Sequence, residues 1–551
     1  MISGTDITIS IIYILLIVTI GLWAGKRKSG PTTGSASNSY FLAGRNLRWP
    51  MIGLALFATN ISCLHLVSLA QSGFDTGLLN GNFEWMAAFT LILLAVFFIP
   101  FYIRSGITTL PDFLEKRYNK ACRDWLAFVS IISAMVIHIG FSFLAGGIVL
   151  ETLFGIHMYV SVIVIASLTG LYTIIGGLRA VVVTETVQSI VLIAGAIIIS
   201  CFAWNKIGGW SNMTSILAAE GNSQKLSMIR PLGDSSGMSW MAVFFGYPVL
   251  GIWYWCADQT IVQRALGAKD EDNAKVGALF CGFIKILPVF IFVLPGLIAY
   301  TLFKSGKLDL HSLPVIMQNG VAAPDSKGIY TVMITQLLPK GLVGLLAAAL
   351  LSGLMSQIAG ALNAISTLAS YDIYKRIKPT VTDRQLVTAG RWSAAIALAI
   401  SLLLLPLLNK YTSLFEGIND IIAHIAPPVT CVFLLGIFWK KASGKAAQYT
   451  LWVGSLLGIV VFTAGKIADS NSFIAQVPFM MMAFYLFITC VILQVILSYV
   501  FPVQHNAASS TLYWHNIWQP LGIKGWRGIG NYRLLSVLLL LLMTILYWVF
   551  R

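Results

Sequence analysis

Charge is what this sequence has least of. Only 10% of its 551 residues are Asp, Glu, Lys or Arg, while 57% are hydrophobic and the mean hydropathy is +0.82. A soluble domain carries about 25% charged residues, so a soluble globular protein is excluded. The motifs of catalysis are missing as well. No Gly-rich phosphate loop, metal-spaced His pair or nucleophile elbow occurs, which leaves no basis for an enzyme. Cysteine is sparse and odd in number: Cys63, Cys122, Cys201, Cys256, Cys281, Cys431 and Cys490 are scattered without metal or redox spacing. They read as small packing residues. Acidic residues are outnumbered 21 to 36 by Lys and Arg, giving a net charge of +15. Such a balance can signal nucleic acid. Here, however, the basic residues cluster between apolar runs, as the positive-inside rule requires, so the partner is a lipid bilayer and not nucleic acid.

What is present is apolar sequence of spanning length from end to end. The first run, 7–24, is followed by Lys26, Arg27 and Lys28, a stop-transfer pattern and not a cleavable leader. Assigning Lys/Arg clusters to the cytoplasm puts the N-terminus outside and predicts fourteen spans. They lie near 7–24, 50–73, 83–103, 125–151, 158–175, 181–203, 240–261, 277–303, 342–373, 387–407, 414–438, 449–466, 477–500 and 534–550. Polar stretches 208–239 and 305–328 are outer loops, and 502–532, rich in Trp and Tyr, suits a membrane surface. The expectation is one all-α polytopic domain in a plasma or inner membrane, without a soluble module.

One span is unlike the rest. The stretch 50–73 carries Thr59, Asn60, Ser62 and His65 in its middle, where each polar group is costly in lipid. Thr and Ser can bond back to their own turn; Asn60 and His65 cannot be satisfied that way. Either this is a polar seam between packed helices, or the helix is interrupted near Thr59–Ser62 and faces a wet cavity. In the second case unwound carbonyls could hold a small cation while side chains bind a solute. A second interrupted span, 240–261, contains Pro248, Gly251 and an intramembrane Asp258. It comes five spans later and runs in the opposite sense, the arrangement of an inverted repeat with a midplane site.

Three further positions could carry chemistry. Glu84 is either a solvated helix-start carboxylate or a pocket residue. Lys285, flanked by apolar residues, either snorkels to the surface or donates to solute hydroxyls. Asn419 precedes Asp420 near a span start, above the helix-breaking Pro427 and Pro428. Neutral polyhydroxy solutes are bound by planar amides, carboxylates and a Lys or His beside an aromatic face. Asn60, His65, Glu84, Lys285 and Asn419, with Tyr254 and Trp255, form such a set if the spans converge.

Several stretches then resemble the sodium/solute symporter family, in its sodium–glucose cotransporter branch. They include Tyr40-Phe-Leu-Ala-Gly-Arg45, Asn60-Ile-Ser62 with His65, Phe83-Glu-Trp85, Tyr254-Trp-Cys-Ala-Asp-Gln259, Ile261-Val-Gln-Arg264, Lys285-Ile-Leu-Pro288 and Asp372-Ile-Tyr-Lys375. The resemblance implies a five-plus-five inverted-repeat (LeuT-type) core, with 50–203 and 240–438 as the repeats and 1–28 and 449–551 as flanking helices. It implies sodium-coupled import of a sugar or polyol by a monomer or weak homodimer. The implied solute site is His65, Glu84, Trp255, Lys285 and Asn419, with Asn60 and Ser62 nearby. Tyr254 would be the inner gate; Leu69, Phe83 and Phe415 would form the outer lid. Sodium would be held by carbonyls of Ala58, Ile61 and Gly353 and the hydroxyl of Ser356. Where the family usually has a second Ser, Gln357 stands; where some members have an Asp for a second sodium, Glu185 stands. Asn419 replaces the usual Gln, and Gly251 stands where a bacterial relative has an Asn sugar ligand. A sensor that binds without transporting, or a carrier of a non-sugar solute, is the alternative.

Overall fold

The computed structural model describes residues 3–26, 35–234, 236–318, 321–408, 414–467, 472–503 and 509–551. Among these, eleven helices are long and apolar enough to cross a membrane. This differs from the fourteen expected spans at three places. The runs 158–175 and 181–203, counted there as one stretch Met158–Ile207, are two helical pieces that meet at Gly177, whose φ of 62° and ψ of −161° are not helical. A Cβ at Gly177 would lie 2.4 Å from the Tyr40 carbonyl, so the kink requires glycine. The stretch His65–Arg104 runs through a tight turn at Gly77–Gly81. Ala242–Ala257 is shorter than a full crossing because the chain leaves the helix at Asp258.

Both expected interruptions are present, each with a local cause. Helix Trp49–Asn60 ends where Ile61 and Ser62 become extended, and Cys63–Thr76 starts after them. Ser62 caps the second half: its hydroxyl and backbone N–H lie 3.1 and 3.3 Å from His65 Nδ1, a capping box built with histidine. In the second interrupted span, Pro248 does not break the helix. A π turn at Ala242–Gly246 precedes it and absorbs the missing N–H. The break falls at Asp258, whose Oδ1 accepts from the Thr260 N–H at 2.7 Å.

Helix Leu342–Leu368 is buried along nearly its whole length and forms the centre of the bundle. Helix Gly4–Lys26 packs beside it and closes its N-terminus: Asp6 Oδ1 accepts the N–H groups of Gly341 and Gly344, each at 2.8 Å. Helices Cys63–Thr76 and Leu294–Lys304 approach until their backbones touch. A Cβ on Gly73 would sit 2.0 Å from the Val293 carbonyl, and one on Gly296 would sit 1.9 Å from that of Ala70. Helices Gly444–Ile467, Phe479–Val500 and Tyr532–Val549 are peripheral, with exposed apolar faces such as Leu456, Ile492 and Trp548. A bilayer would cover those faces. Extended pairing among the described residues is limited to a hairpin, Val315–Gln318 antiparallel with Val321–Pro324 inside the loop 305–328, and an isolated parallel bridge between Leu47 and Ala268.

Candidate functional site

The first break and the π turn Trp253–Ala257 that precedes the second face one central cavity of about 110 Å³. Its wall includes Asn60, Ser62, His65, Phe83, Glu84, Tyr254, Trp255 and Asn419, eight of the residues singled out from sequence. Lys285 stands directly behind them. Its ammonium donates to Glu84 Oε2 and, at 2.5 Å, to Asn60 Oδ1. Because an ammonium only donates, this bond fixes the Asn60 amide, whose Nδ2 then donates to the Tyr254 hydroxyl at 3.2 Å. Lys285 also lies 5.7 Å from the Trp255 ring centre. The pair Lys285–Glu84 is 1% and 2% exposed, and its opposite charges balance each other beside the cavity.

The three positions assigned to the outer lid are placed differently from one another. Phe83 packs edge-on to Tyr247 and face-on to Phe479, on one side of the cavity. Leu69 is fully buried and outside the cavity wall. Phe415 lies in helix Leu414–Phe438, but its side chain is outside the described residues.

A second polar chain was not expected from sequence. His138, on a π turn at Ala134–Gly140, has Nε2 2.7 Å from Asp258 Oδ2 and Nδ1 2.7 Å from Gln357 Nε2. A carboxylate accepts only, so Nε2 carries the proton and Nδ1 accepts from the Gln357 amide. That leaves Gln357 Oε1 buried, at the cavity, without a hydrogen-bond partner. One ionisable side chain in the apolar run Ala134–Gly140 was the available signal. Ser68, Ser142 and Tyr247 also line the cavity and had none beyond their polarity.

At the first break, three of the four oxygens assigned to the cation lie together. Ser356 Oγ is 2.8 Å from the Ala58 carbonyl and 3.1 Å from that of Gly353. Ala58 and Ile61 belong to a helix end whose last carbonyls lack a following turn. An all-oxygen set of carbonyls and a hydroxyl suits a hard cation such as sodium. Among the described residues no His, Cys, Asp and Glu cluster could hold a transition metal. Gln357 is held by His138. Glu185 is held too: Arg264 Nη2 donates to its Oε1 at 2.5 Å and Thr59 Oγ1 to the same oxygen at 2.9 Å, with both charged side chains 0% exposed.

Against this geometry, the model of the sodium:solute symporter family matches residues 40–454. The chain belongs to this family. The family makes it a sodium-coupled membrane transporter and not an enzyme, with sodium as its coupling ion. Among curated relatives, sodium/glucose cotransporter 1 of Ovis aries is 32% identical over 477 residues, 83% of this chain and 71% of that protein. Sodium/glucose cotransporter 2 of Rattus norvegicus is 34% identical over 483 residues, with the same two coverages. Among solved structures, a Na+-coupled sialic acid symporter in a substrate-bound outward-open state superposes with TM-score 0.76 at 22% identity, covering 92% of this chain and all of that one. A nucleobase-cation-symport-1 family transporter superposes with TM-score 0.52 at 12% identity, covering 86% and 98%. These likenesses support the fold.

Proposed function

We propose that this symporter imports a neutral polyhydroxy solute, a hexose before other candidates, across a plasma or inner membrane by alternating access. The observation that carries this reading is the charge-balanced cluster of Lys285, Glu84 and Asn60 beside Trp255 at the central cavity. It offers donors and acceptors to hydroxyls and an aromatic face to a ring. The sodium/glucose names of the relatives agree with it. In the finer reading, fourteen crossings with the N-terminus outside surround a five-plus-five inverted repeat, in a monomer or weak homodimer.

Sodium binds first at Ala58, Ile61, Gly353 and Ser356, joining the first broken span to helix Leu342–Leu368. That tether orders Asn60 and the Ser62–His65 cap for the solute. Phe83, with Leu69 and Phe415, closes outside; Tyr254 then moves and releases both inward. With Glu185 occupied by Arg264 and Gln357 by His138, one sodium per cycle is the stoichiometry we favour. One ion moving down roughly 100 mV contributes about 2.3 kcal/mol before its concentration gradient is added.

Uptake of labelled glucose, galactose, N-acetylhexosamine and myo-inositol into proteoliposomes, with and without an inward sodium gradient, tests the proposal. Sodium-driven accumulation of one of them is the expected result. Sodium-dependent binding without accumulation would turn the reading to a sensor, and no binding of any would turn it to a non-sugar solute.

A further inference from the structure

Gln357 is 5% exposed on helix Leu342–Leu368 and lines the central cavity. Its amide is held in one orientation. Nε2 donates to His138 Nδ1 at 2.7 Å, and turning the amide would set its oxygen against the Nδ1 lone pair. His138 Nε2 donates in turn to Asp258 Oδ2, also at 2.7 Å. A carboxylate at the far end polarises such a chain. Each N–H drawn toward its acceptor makes the group that carries it a better acceptor in its own right. The chain ends on Gln357 Oε1, fixed and strengthened as an acceptor, and among the described residues this oxygen has no hydrogen-bond partner. A buried acceptor left alone is costly, so its partner must come from what enters the cavity.

The cavity wall says which partner. Ala58, Ile61, Gly353 and Ser356, the residues assigned to the cation, are not part of it, whereas Asn60, Glu84 and Trp255 share it with Gln357. Gln357 therefore belongs to the solute's space and not to the cation's, although it follows Ser356 directly in the chain. Ser68 Oγ is a second lone group in the same wall, but a hydroxyl turns to donate or accept and so selects little. The Gln357 oxygen only accepts. We infer that Gln357 is a specificity-determining residue whose Oε1 accepts a hydrogen bond from one hydroxyl of the bound solute. His138 and Asp258 are its positioning residues, and they tie solute recognition to the cap of the second break. A solute that carries a deoxy carbon or an ether at that hydroxyl's place strands the oxygen and is rejected. The inference rests on the reading of the solute as a hexose.

The test is competition binding on the full-length protein in detergent at saturating sodium. The probes are labelled glucose and galactose, and the competitors are the full sets of their monodeoxy forms. Wild type and Gln357→Met are compared; methionine keeps the length of the side chain and removes the oxygen. In wild type the deoxy form that strands Oε1 should bind roughly tenfold more weakly than the parent sugar, about 1.4 kcal/mol. In Q357M the parent sugar should weaken by a similar factor, and the penalty at that one position should vanish while the penalties at other positions stay. Gln357→Ala serves in the same way where Q357M does not remain monodisperse. Two results would overturn the inference: deoxy penalties identical in wild type and variant at every position, or a variant whose only change is a higher sodium requirement, which would make Gln357 a cation ligand. Wild type that binds neither sugar is a different failure, because it removes the hexose reading and this inference with it.

Discussion

Two buried ion pairs lie on either side of the first broken span, and they are built alike but placed differently. Lys285–Glu84 and Arg264–Glu185 are each at most 2% exposed, and each also engages a polar residue of helix Trp49–Asn60, Asn60 in one case and Thr59 in the other. Glu84 belongs to the cavity wall; Arg264 and Glu185 do not. A Cβ at Gly360 would meet Arg264 Nη2 at 2.5 Å, so that guanidinium is packed against a helix backbone. The difference teaches that burial alone does not mark a binding residue. A pair beside empty space can exchange a partner for solute hydroxyls, whereas an enclosed pair can only hold helices together.

The largest effect should come from breaking the enclosed pair. Arg264→Ala strands the Glu185 carboxylate and should cost about 3–5 kcal/mol, read as a collapse of the thermal unfolding midpoint in detergent. E185Q/R264Q, which removes both charges, should recover much of that loss. Lys285→Ala should act on function instead: a folded, monodisperse protein whose solute affinity falls by about 2–5 kcal/mol, roughly 30-fold or more, in equilibrium binding. Unchanged affinity would mean that the cavity-side pair is structural like the other.

Smaller changes sharpen the contrast. Ser356→Ala removes one cation ligand and should raise the sodium concentration for half-maximal solute binding roughly tenfold, since bonds to charge are worth about 1.5–3 kcal/mol. His138→Ala frees Asp258 and Gln357 together. It should weaken solute binding by about 1–2 kcal/mol, with His138→Gln restoring part of it by still donating to the carboxylate. Equal binding by wild type and both His138 variants would remove the relay from the site. Asp6→Ala, far from both pairs, should cost about 1 kcal/mol of stability through loss of a helix cap and leave affinities alone.

Much of this was legible in the sequence because membrane burial makes polar residues conspicuous. Asn60, His65, Glu84 and Lys285 stood out for that reason, and the structure brings them together at one cavity. Partnerships were not legible. His138 and Asp258 are 120 positions apart, and nothing local says that one imidazole reaches both Asp258 and Gln357. Nor does anything local pair Glu185 with Arg264, 79 residues away. Helix detail also escaped the pattern. The π turns that carry His138 and Tyr254–Trp255 have ordinary apolar composition, whereas the two spans that hydropathy separated at 158–175 and 181–203 do part at a non-helical Gly177. The break at 240–261 was drawn to Pro248 and Gly251 as well as Asp258, yet a π turn lets the helix continue past the proline.

The central claim is that sodium at the first break orders the solute site, so the two ligands must tighten each other equally. The direct measurement is the solute dissociation constant with and without saturating sodium, and the sodium dissociation constant with and without saturating hexose, on the same purified protein. The account predicts the same factor in both directions, reduced toward one in Ser356→Ala. A solute affinity indifferent to sodium, in protein that binds both, would contradict it.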